Sequence, residues 1–123
     1  MPTAINSFRD LDVWQVSMDL VDAVYKATAA MPRNEFDLRR QIRRAAVSIP
    51  ANIAEDYRRK NRRHAYQNHV SIAMGSQGEL ETELEIATRN AFIPDEACAR
   101  LLKHSDRIGG MLYRLHESLH SES

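Results

Sequence analysis

Apolar positions recur every three or four residues in four stretches of this chain, and that spacing predicts four helices. We expect the helices to cover residues 10–31, 35–60, 64–91 and 95–119. Pro32 and Pro94 fall in two of the short connections, where a proline ends or precedes a helix. Four amphipathic helices with short connections predict an all-α fold, an up-down-up-down antiparallel four-helix bundle in which residues 1–123 form one domain.

The second predicted helix has a proline inside its apolar stripe. The helical period of its apolar residues continues on both sides of Pro50. A proline in a helix interior removes one backbone hydrogen bond and costs about 3 kcal/mol. Because the period is uninterrupted, we favour a kinked, nearly continuous helix over one that restarts with Ser48 as its N-cap.

Polar residues also recur at helical spacing on the second and third helices. Ser48, Asn52 and Glu55 are spaced i, i+4 and i+7, and Ser76 and Glu79 are spaced i, i+3. Mutual hydrogen bonds between the two helices would satisfy these groups and fix the helix register. We interpret the five residues as a structural polar seam rather than a catalytic group, because no activated nucleophile accompanies them.

Glycines interrupt the third and fourth helices. Gly75 and Gly78 would let a neighbouring backbone approach the third helix closely. Gly109 and Gly110 each cost roughly 1 kcal/mol relative to alanine in a helix, so they indicate close packing or local flexibility.

Charge is balanced over the whole chain but not along it. The 123 residues include 17 basic and 17 acidic side chains, whereas the segment from Arg33 to His64 carries ten basic and four acidic ones. Such a basic segment could contact phosphates, or its arginines could pair with acids such as Glu79 and Glu83 across helices. The candidate nucleic-acid-binding residues are Arg39, Arg40, Arg43, Arg44, Arg58, Arg59, Lys60, Arg62 and Arg63.

Candidate catalytic and metal-binding groups are sparse. Arg59 and His64 have the spacing used by the all-helical HEPN ribonucleases, in which histidine acts in acid–base chemistry and arginine stabilises phosphate charge. A run this basic produces such a match almost inevitably, so ribonuclease is kept only as an alternative. His116 and His120 share a helix face but have no evident third ligand. We therefore predict no catalytic residue, no metal site and no cofactor.

The number of cysteines and the hydropathy of the chain indicate the cellular compartment of the protein. Cys98 is the only cysteine, so no intramolecular disulfide can form and a reducing compartment is expected. The N-terminal residues lack the basic and apolar regions of a signal peptide, and no run approaches the ~20 apolar residues of a membrane span. We expect a cytoplasmic protein without a membrane partner.

Three stretches, each in a different predicted helix, match one known family in the same order. The central one reads Leu38-x-x-Gln41-x-x-Arg44-Ala-Ala-x-Ser48-Ile-Pro-x-Asn52-Ile-Ala-Glu55. The flanking ones read Leu11-x-Val13-Trp14-Gln15 and Ile72-Ala73-x-Gly75-Ser76-x-x-Glu79-Leu80-Glu81. From about Phe8 to Leu119 the chain thus resembles the bacterial four-helix-bundle proteins related to those encoded by intervening sequences inside 23S rRNA genes.

This resemblance implies an up-down bundle that assembles with its own copies, since related members form five-fold rings with a basic surface. One branch, the accessory protein of diversity-generating retroelements, works with a reverse transcriptase and binds nucleic acid. The family has no established catalytic residues to carry over. This sequence departs from it at Asp56, where glycine is usual. An aspartate there would alter the local geometry and place a negative charge beside the arginines.

We therefore expect a non-enzymatic, cytoplasmic homo-oligomer, a pentameric ring of four-helix bundles, that binds RNA or DNA or acts as a scaffold through its basic surface. The first alternative is a purely structural or protein-partner assembly module, in which the arginines serve subunit interfaces. The second is a HEPN-like ribonuclease that uses Arg59 and His64.

Overall fold

The computed structural model describes residues 5–59 and 69–121. Its four α-helices are α1 (Asp12–Thr28), α2 (Phe36–Arg58), α3 (His69–Arg89) and α4 (Asp95–Ser121), with single 3-10 turns at Phe8–Asp10 and Arg33–Glu35. No strand occurs in these ranges, so the predicted all-α class is confirmed. Helices α1 and α3 each pack against both α2 and α4, so the four helices enclose one core.

The core consists mainly of aliphatic side chains. Burial of one such side chain stabilises the fold by about 1.5–3 kcal/mol. The largest fully buried apolar members are Leu20, Val24, Ile42, Ile49, Ile53, Val70, Leu80, Leu84, Ile93, Ile108 and Leu112. No described helix is both long enough and apolar enough to cross a lipid bilayer.

Helix α1 buries two hydroxyl residues on its core face. Ser17 and Thr28 are both fully buried. Their hydroxyls donate to the carbonyl oxygens of Val13 and Val24, each at 2.7 Å. Because carbonyl groups of the same helix accept both hydroxyl protons, these residues can occupy positions in an apolar row at little cost. Helix α1 ends at Thr28, three residues before the predicted end, as backbone bonds of the tighter i to i+3 type close its last turn.

Helix α2 is continuous through Pro50. The proline is buried together with the apolar residues of the helix, where its apolar surface offsets part of the cost of the missing hydrogen bond. Ser48 is therefore an interior residue of α2 and not an N-cap, and its hydroxyl is available to bond a neighbouring helix.

The glycines of α3 and α4 occupy different environments. A Cβ atom on Gly75 or Gly78 would meet no atom of the described residues within 4 Å, so no backbone in the described ranges approaches them. The expected close approach at these two positions is thus wrong for the described part of the chain. A Cβ on Gly109 would lie 2.6 Å from Gln77 Nε2, so α4 does need a glycine there unless the Gln77 side chain moves.

Candidate nucleic-acid interface

The arginines of the first half of α2 lie along a groove between α1 and α2. Helical spacing arranges them in two rows, Arg39 with Arg43 and Arg40 with Arg44, each pair one turn apart. The groove has a volume of about 360 Å³ and is lined by Tyr25, Phe36, Arg39, Arg40, Arg43, Arg44 and Val47.

Arg39 and Arg43 are held against the C-terminal end of α1. Arg43 Nε donates to Thr28 Oγ1 at 2.9 Å, and Arg43 Nη2 donates to the Tyr25 carbonyl oxygen at 3.3 Å. Arg39 Nη1 donates to the Met31 carbonyl oxygen at 3.4 Å. Carbonyl groups at a helix C-terminus lack intrahelical donors and carry partial negative charge. These two arginines therefore stabilise the connection between α1 and α2.

Arg40 and Arg44 form the exposed row of the groove. Arg40 pairs with Asp37 at 3.3 Å, but the two side chains are 72% and 67% exposed. Exposed pairs of this kind contribute about 0–1 kcal/mol, so a phosphate could compete for the guanidinium. Arg44 is exposed and has neither an ion pair nor a hydrogen bond with another described residue. Its charge is available to a ligand.

A second groove, between α2 and α3, has Arg44 on one side and two glutamates on the other. Burial raises the pKa of Glu83, and the negative charge of Glu79 raises it further. Glu83 Oε1 is buried without a hydrogen-bond partner in the described ranges. Neither glutamate forms an ion pair with a described arginine, so the cross-helix pairs considered from the sequence are absent from this part of the chain. The groove is lined by Gln41, Arg44, Ala45, Ser48, Ser76, Glu79 and Glu83.

The basic residues at the far end of α2 have neighbours of their own. Arg58 lies over the Phe8 ring, with its guanidinium carbon 5.3 Å from the ring centre. Arg59 Nε bonds Glu55 Oε1 at 2.7 Å. Arg58 is about 27 Å along the helix from Arg40, since an α-helix rises 1.5 Å per residue. The arginines of α2 thus form two separate groups.

The rest of the predicted basic set and the proposed catalytic histidine lie outside the described residues. They are Lys60, Arg62, Arg63 and His64.

A hydrogen-bonded seam joins α2 to α3. Ser48 Oγ and Ser76 Oγ are 2.7 Å apart. Asn52 Nδ2 donates to the Ser48 carbonyl oxygen at 2.8 Å and to Ser48 Oγ at 3.0 Å. Asn52 Oδ1 is 3.0 Å from His69 Nδ1, which adds a residue that the sequence pattern did not indicate. The contacts of Ser48 with Ser76 and of Asn52 with His69 join side chains of α2 to side chains of α3. They therefore suit a role in fixing the register between the two helices.

The two carboxylates predicted for this seam lie outside it. Glu55 bonds Arg59 one turn further along α2. Glu79 is exposed and borders the groove between α2 and α3, with no hydrogen bond to another described residue. Both side chains occupy the solvent-facing flank of their helices, where water can satisfy a carboxylate at little cost.

Comparison with protein families found a match over most of the chain. The model of the 23S rRNA-intervening sequence protein family matches residues 9–114, which include α1, α2, α3 and most of α4. This chain belongs to the 23S rRNA-intervening sequence protein family. A search of curated proteins found no match.

In this member of the family, Asp56 is buried between helices and is only 4% exposed. Burial raises the pKa of Asp56, while positive charge on His69 and His116 and backbone hydrogen bonds from His69 and Val70 oppose that rise. Asp56 Oδ1 has no hydrogen-bond partner in the described part of the chain. The carboxylate is therefore buried rather than exposed, and it forms no ion pair with an arginine of the described residues. Whether its charge lies beside Lys60, Arg62 and Arg63 falls outside the described residues.

A second polar network joins α3 to α4 in this family member. Gln77 Nε2 donates to the Ser105 carbonyl oxygen at 2.7 Å and to Glu81 Oε2 at 3.2 Å. Ser105 Oγ donates to the same Glu81 oxygen at 2.6 Å. Gly109 leaves the room that the Gln77 amide occupies. Sequence reasoning missed this network, although Gln77 and Ser105 both interrupt apolar rows and could have signalled it.

The described residues of this family member contain no group of three histidine, cysteine or acidic side chains able to hold a metal ion. Cys98 is buried, and its Sγ lies 3.9 Å from the Leu84 carbonyl oxygen.

Proposed function

We propose that this member of the 23S rRNA-intervening sequence protein family is a non-enzymatic protein that binds RNA or DNA through the arginines of α2. The observation that supports the proposal best is the pair Arg40 and Arg44. Both side chains are exposed, and they lie one helix turn apart on the same groove. Arg40 pairs only with the exposed Asp37, and Arg44 has no partner among the described residues.

Guanidinium groups suit phosphate ligands for physical reasons. Their planar fork donates two parallel hydrogen bonds to a phosphate, and their charge displaces the cations condensed on a nucleic acid. Arg39 and Arg43 would support this contact indirectly, because their bonds to Met31, Thr28 and Tyr25 fix their side chains and they add positive potential behind the exposed row.

The test is a salt titration of the affinity for labelled RNA and DNA, beginning at ~50 mM salt. Arg40→Gln together with Arg44→Gln should weaken binding and reduce the slope of log affinity against log salt by about two, one for each lost phosphate contact. Arg107→Gln is the control for the removal of an arginine elsewhere, since Arg107 is an exposed arginine on α4, whose neighbouring helices are α1 and α3. No binding by the parent protein at ~50 mM salt would exclude the proposal.

A purely structural assembly is the second candidate, and we propose it on a different observation. Ile72 and Ile86 are each 44% exposed on α3, and Gly75 lies between them with open space beside it. A homo-oligomeric ring of five up-down bundles in the cytoplasm would cover this face. Ile72→Glu should then reduce the mass measured by light scattering without changing nucleic-acid affinity if the two roles use separate surfaces.

Ribonuclease activity is tested in the same samples. Arg59 is bonded to Glu55, which reduces its availability to a phosphate. RNA cleavage that disappears in His64→Ala would support the enzyme and contradict a non-enzymatic role.

A further inference from the structure

The groove between α1 and α2 combines aromatic rings with arginines, although the two kinds of residue are scattered in the sequence. Phe36 is 54% exposed and Tyr25 is 43% exposed, and both line the groove beside Arg40 and Arg44. Aromatic rings can stack on flat apolar groups, and guanidinium groups can bind negatively charged ones. The combination therefore points to a ligand with flat apolar surfaces and regularly spaced negative charges.

Three of the four exposed residues of α2 in this groove form one line, and the fourth is Val47. Phe36, Arg40 and Arg44 are spaced i, i+4 and i+8, so they follow one another along the same helix face. Neighbouring members are about 6 Å apart along the helix axis. That interval resembles the spacing of consecutive phosphates along an extended strand.

The opposite wall of the groove is rigid. The Arg43 guanidinium carbon lies 4.4 Å from the centre of the Tyr25 ring, and the same side chain bonds Thr28 Oγ1. A wall fixed by stacking and hydrogen bonding needs little reordering when a ligand binds. The groove volume of about 360 Å³ falls in the range of known ligand sites, ~300–1,000 Å³.

We propose that this groove binds single-stranded RNA or DNA, with an unpaired base stacked on Phe36 and the adjoining phosphates on Arg40 and Arg44. The proposal rests on the proposed nucleic-acid binding and adds to it a preference for unpaired strands. A base in a duplex is already stacked and paired, so it cannot reach the Phe36 ring. Base–aromatic stacking is the usual way in which proteins hold single strands without reading their sequence.

The test compares a fluorescent oligothymidine strand with a duplex of the same length, using the full chain and fluorescence anisotropy. Phe36→Leu keeps an apolar side chain but removes the aromatic face. It should weaken single-strand binding at least about fivefold and leave duplex binding unchanged. Tyr113→Leu is the matched control, because Tyr113 is an aromatic residue of similar exposure, 58%, on α4. Both substitutions are at exposed positions, and helical circular dichroism checks that each variant is folded.

The outcomes separate the two proposals. If neither probe binds, the proposed function fails. If both probes bind and Phe36→Leu lowers neither affinity, nucleic-acid binding stands and the stacking groove is wrong. If polyglutamate displaces the strand when both supply the same concentration of negative charge, the groove is a site for acidic peptides. The single-strand assignment is then overturned. Selective loss of single-strand binding in Phe36→Leu alone supports the assignment.

Discussion

The guanidinium of Arg43 lies over the ring of Tyr25, with its central carbon 4.4 Å from the ring centre. Together with the hydrogen bonds to Thr28 Oγ1 and to the Tyr25 carbonyl oxygen, this contact fastens α2 to the end of α1. Arg44, the next residue, has no such contact in the described residues. Two adjacent arginines of one helix thus have different roles, the first in stability and the second on the open surface.

Substitution of the two arginines should separate these roles. We expect Arg43→Gln to lower the free energy of unfolding by about 1–2 kcal/mol, because it removes two hydrogen bonds and a cation–π contact. Arg44→Gln is an exposed change and should alter that free energy by less than about 0.5 kcal/mol. Urea unfolding followed by circular dichroism measures both. Equal losses of stability in Arg43→Gln and Arg44→Gln would contradict the assignment of different roles to the two arginines.

The bond between Ser48 and Ser76 should appear as a coupling energy. Ser48→Ala removes the partner of Ser76 Oγ and one of two acceptors of Asn52 Nδ2, so we expect a loss of about 1–2 kcal/mol. In a double-mutant cycle with Ser76→Ala, the two changes should be non-additive by at least about 0.5 kcal/mol. Among the described residues, the exposed Thr82 hydroxyl bonds only the Gly78 carbonyl oxygen of its own helix, so a cycle of Ser48→Ala with Thr82→Ala should be additive. An additive result for the serine pair would show that the seam contributes little to helix register.

Alanine substitutions at glycine should have opposite effects on α3 and α4. Gly75→Ala meets open space and should stabilise the protein by up to about 1 kcal/mol through helix propensity. Gly109→Ala places a methyl group against the Gln77 amide and displaces its bonds to Ser105 and Glu81. The loss of these bonds should cancel or exceed the gain in helix propensity, so the stabilities of the two variants should differ by about 1–2 kcal/mol. Thermal unfolding of both variants at the same protein concentration measures this difference. If Gly109→Ala stabilises the protein, the hydrogen-bond network is easily rearranged.

The buried Asp56 should make stability depend on pH in the acid range. Burial raises its pKa in the folded state above the ordinary aspartate value, so the folded state binds its proton more tightly than the unfolded chain. The resulting stabilisation is complete below the ordinary pKa and is lost as the pH rises through the raised pKa. We expect Asp56→Asn to stabilise the protein at about pH 7 by on the order of 1 kcal/mol.

The same substitution should flatten the pH dependence, because the asparagine oxygen can still accept the backbone bonds of His69 and Val70. Urea unfolding at several pH values compares the two proteins. Glu83, whose pKa burial also raises, would leave a residual slope in the same direction. A variant that is less stable than the parent at neutral pH would show that the charged carboxylate is satisfied after all.

Much of the fold could be predicted because it depends on periodicity. The apolar rows of α1 to α4 bury their residues at the spacing of 3.6 per turn, and the run through Pro50 remains helical because its core face is continuous. Ser48, Asn52 and Ser76 meet because helical spacing places them on facing sides of neighbouring helices. Glu55 and Glu79 fit the same spacing but lie on outer flanks, since a three- or four-residue period fixes a face only to within about one residue.

The candidate interface depended on contacts between separate segments. Arg39 and Arg43 differ from Arg40 and Arg44 only in which side of α2 they occupy, and the sequence does not say which side meets the end of α1. Tyr25 enters the groove from another helix, so no local motif links it to the arginines. The four helices, their apolar faces and the concentration of basic charge in α2 follow from the order of residues along the chain. Which arginines are bound internally and which are exposed follows from the packed helices, because it depends on how each helix is rotated about its axis when the apolar faces meet.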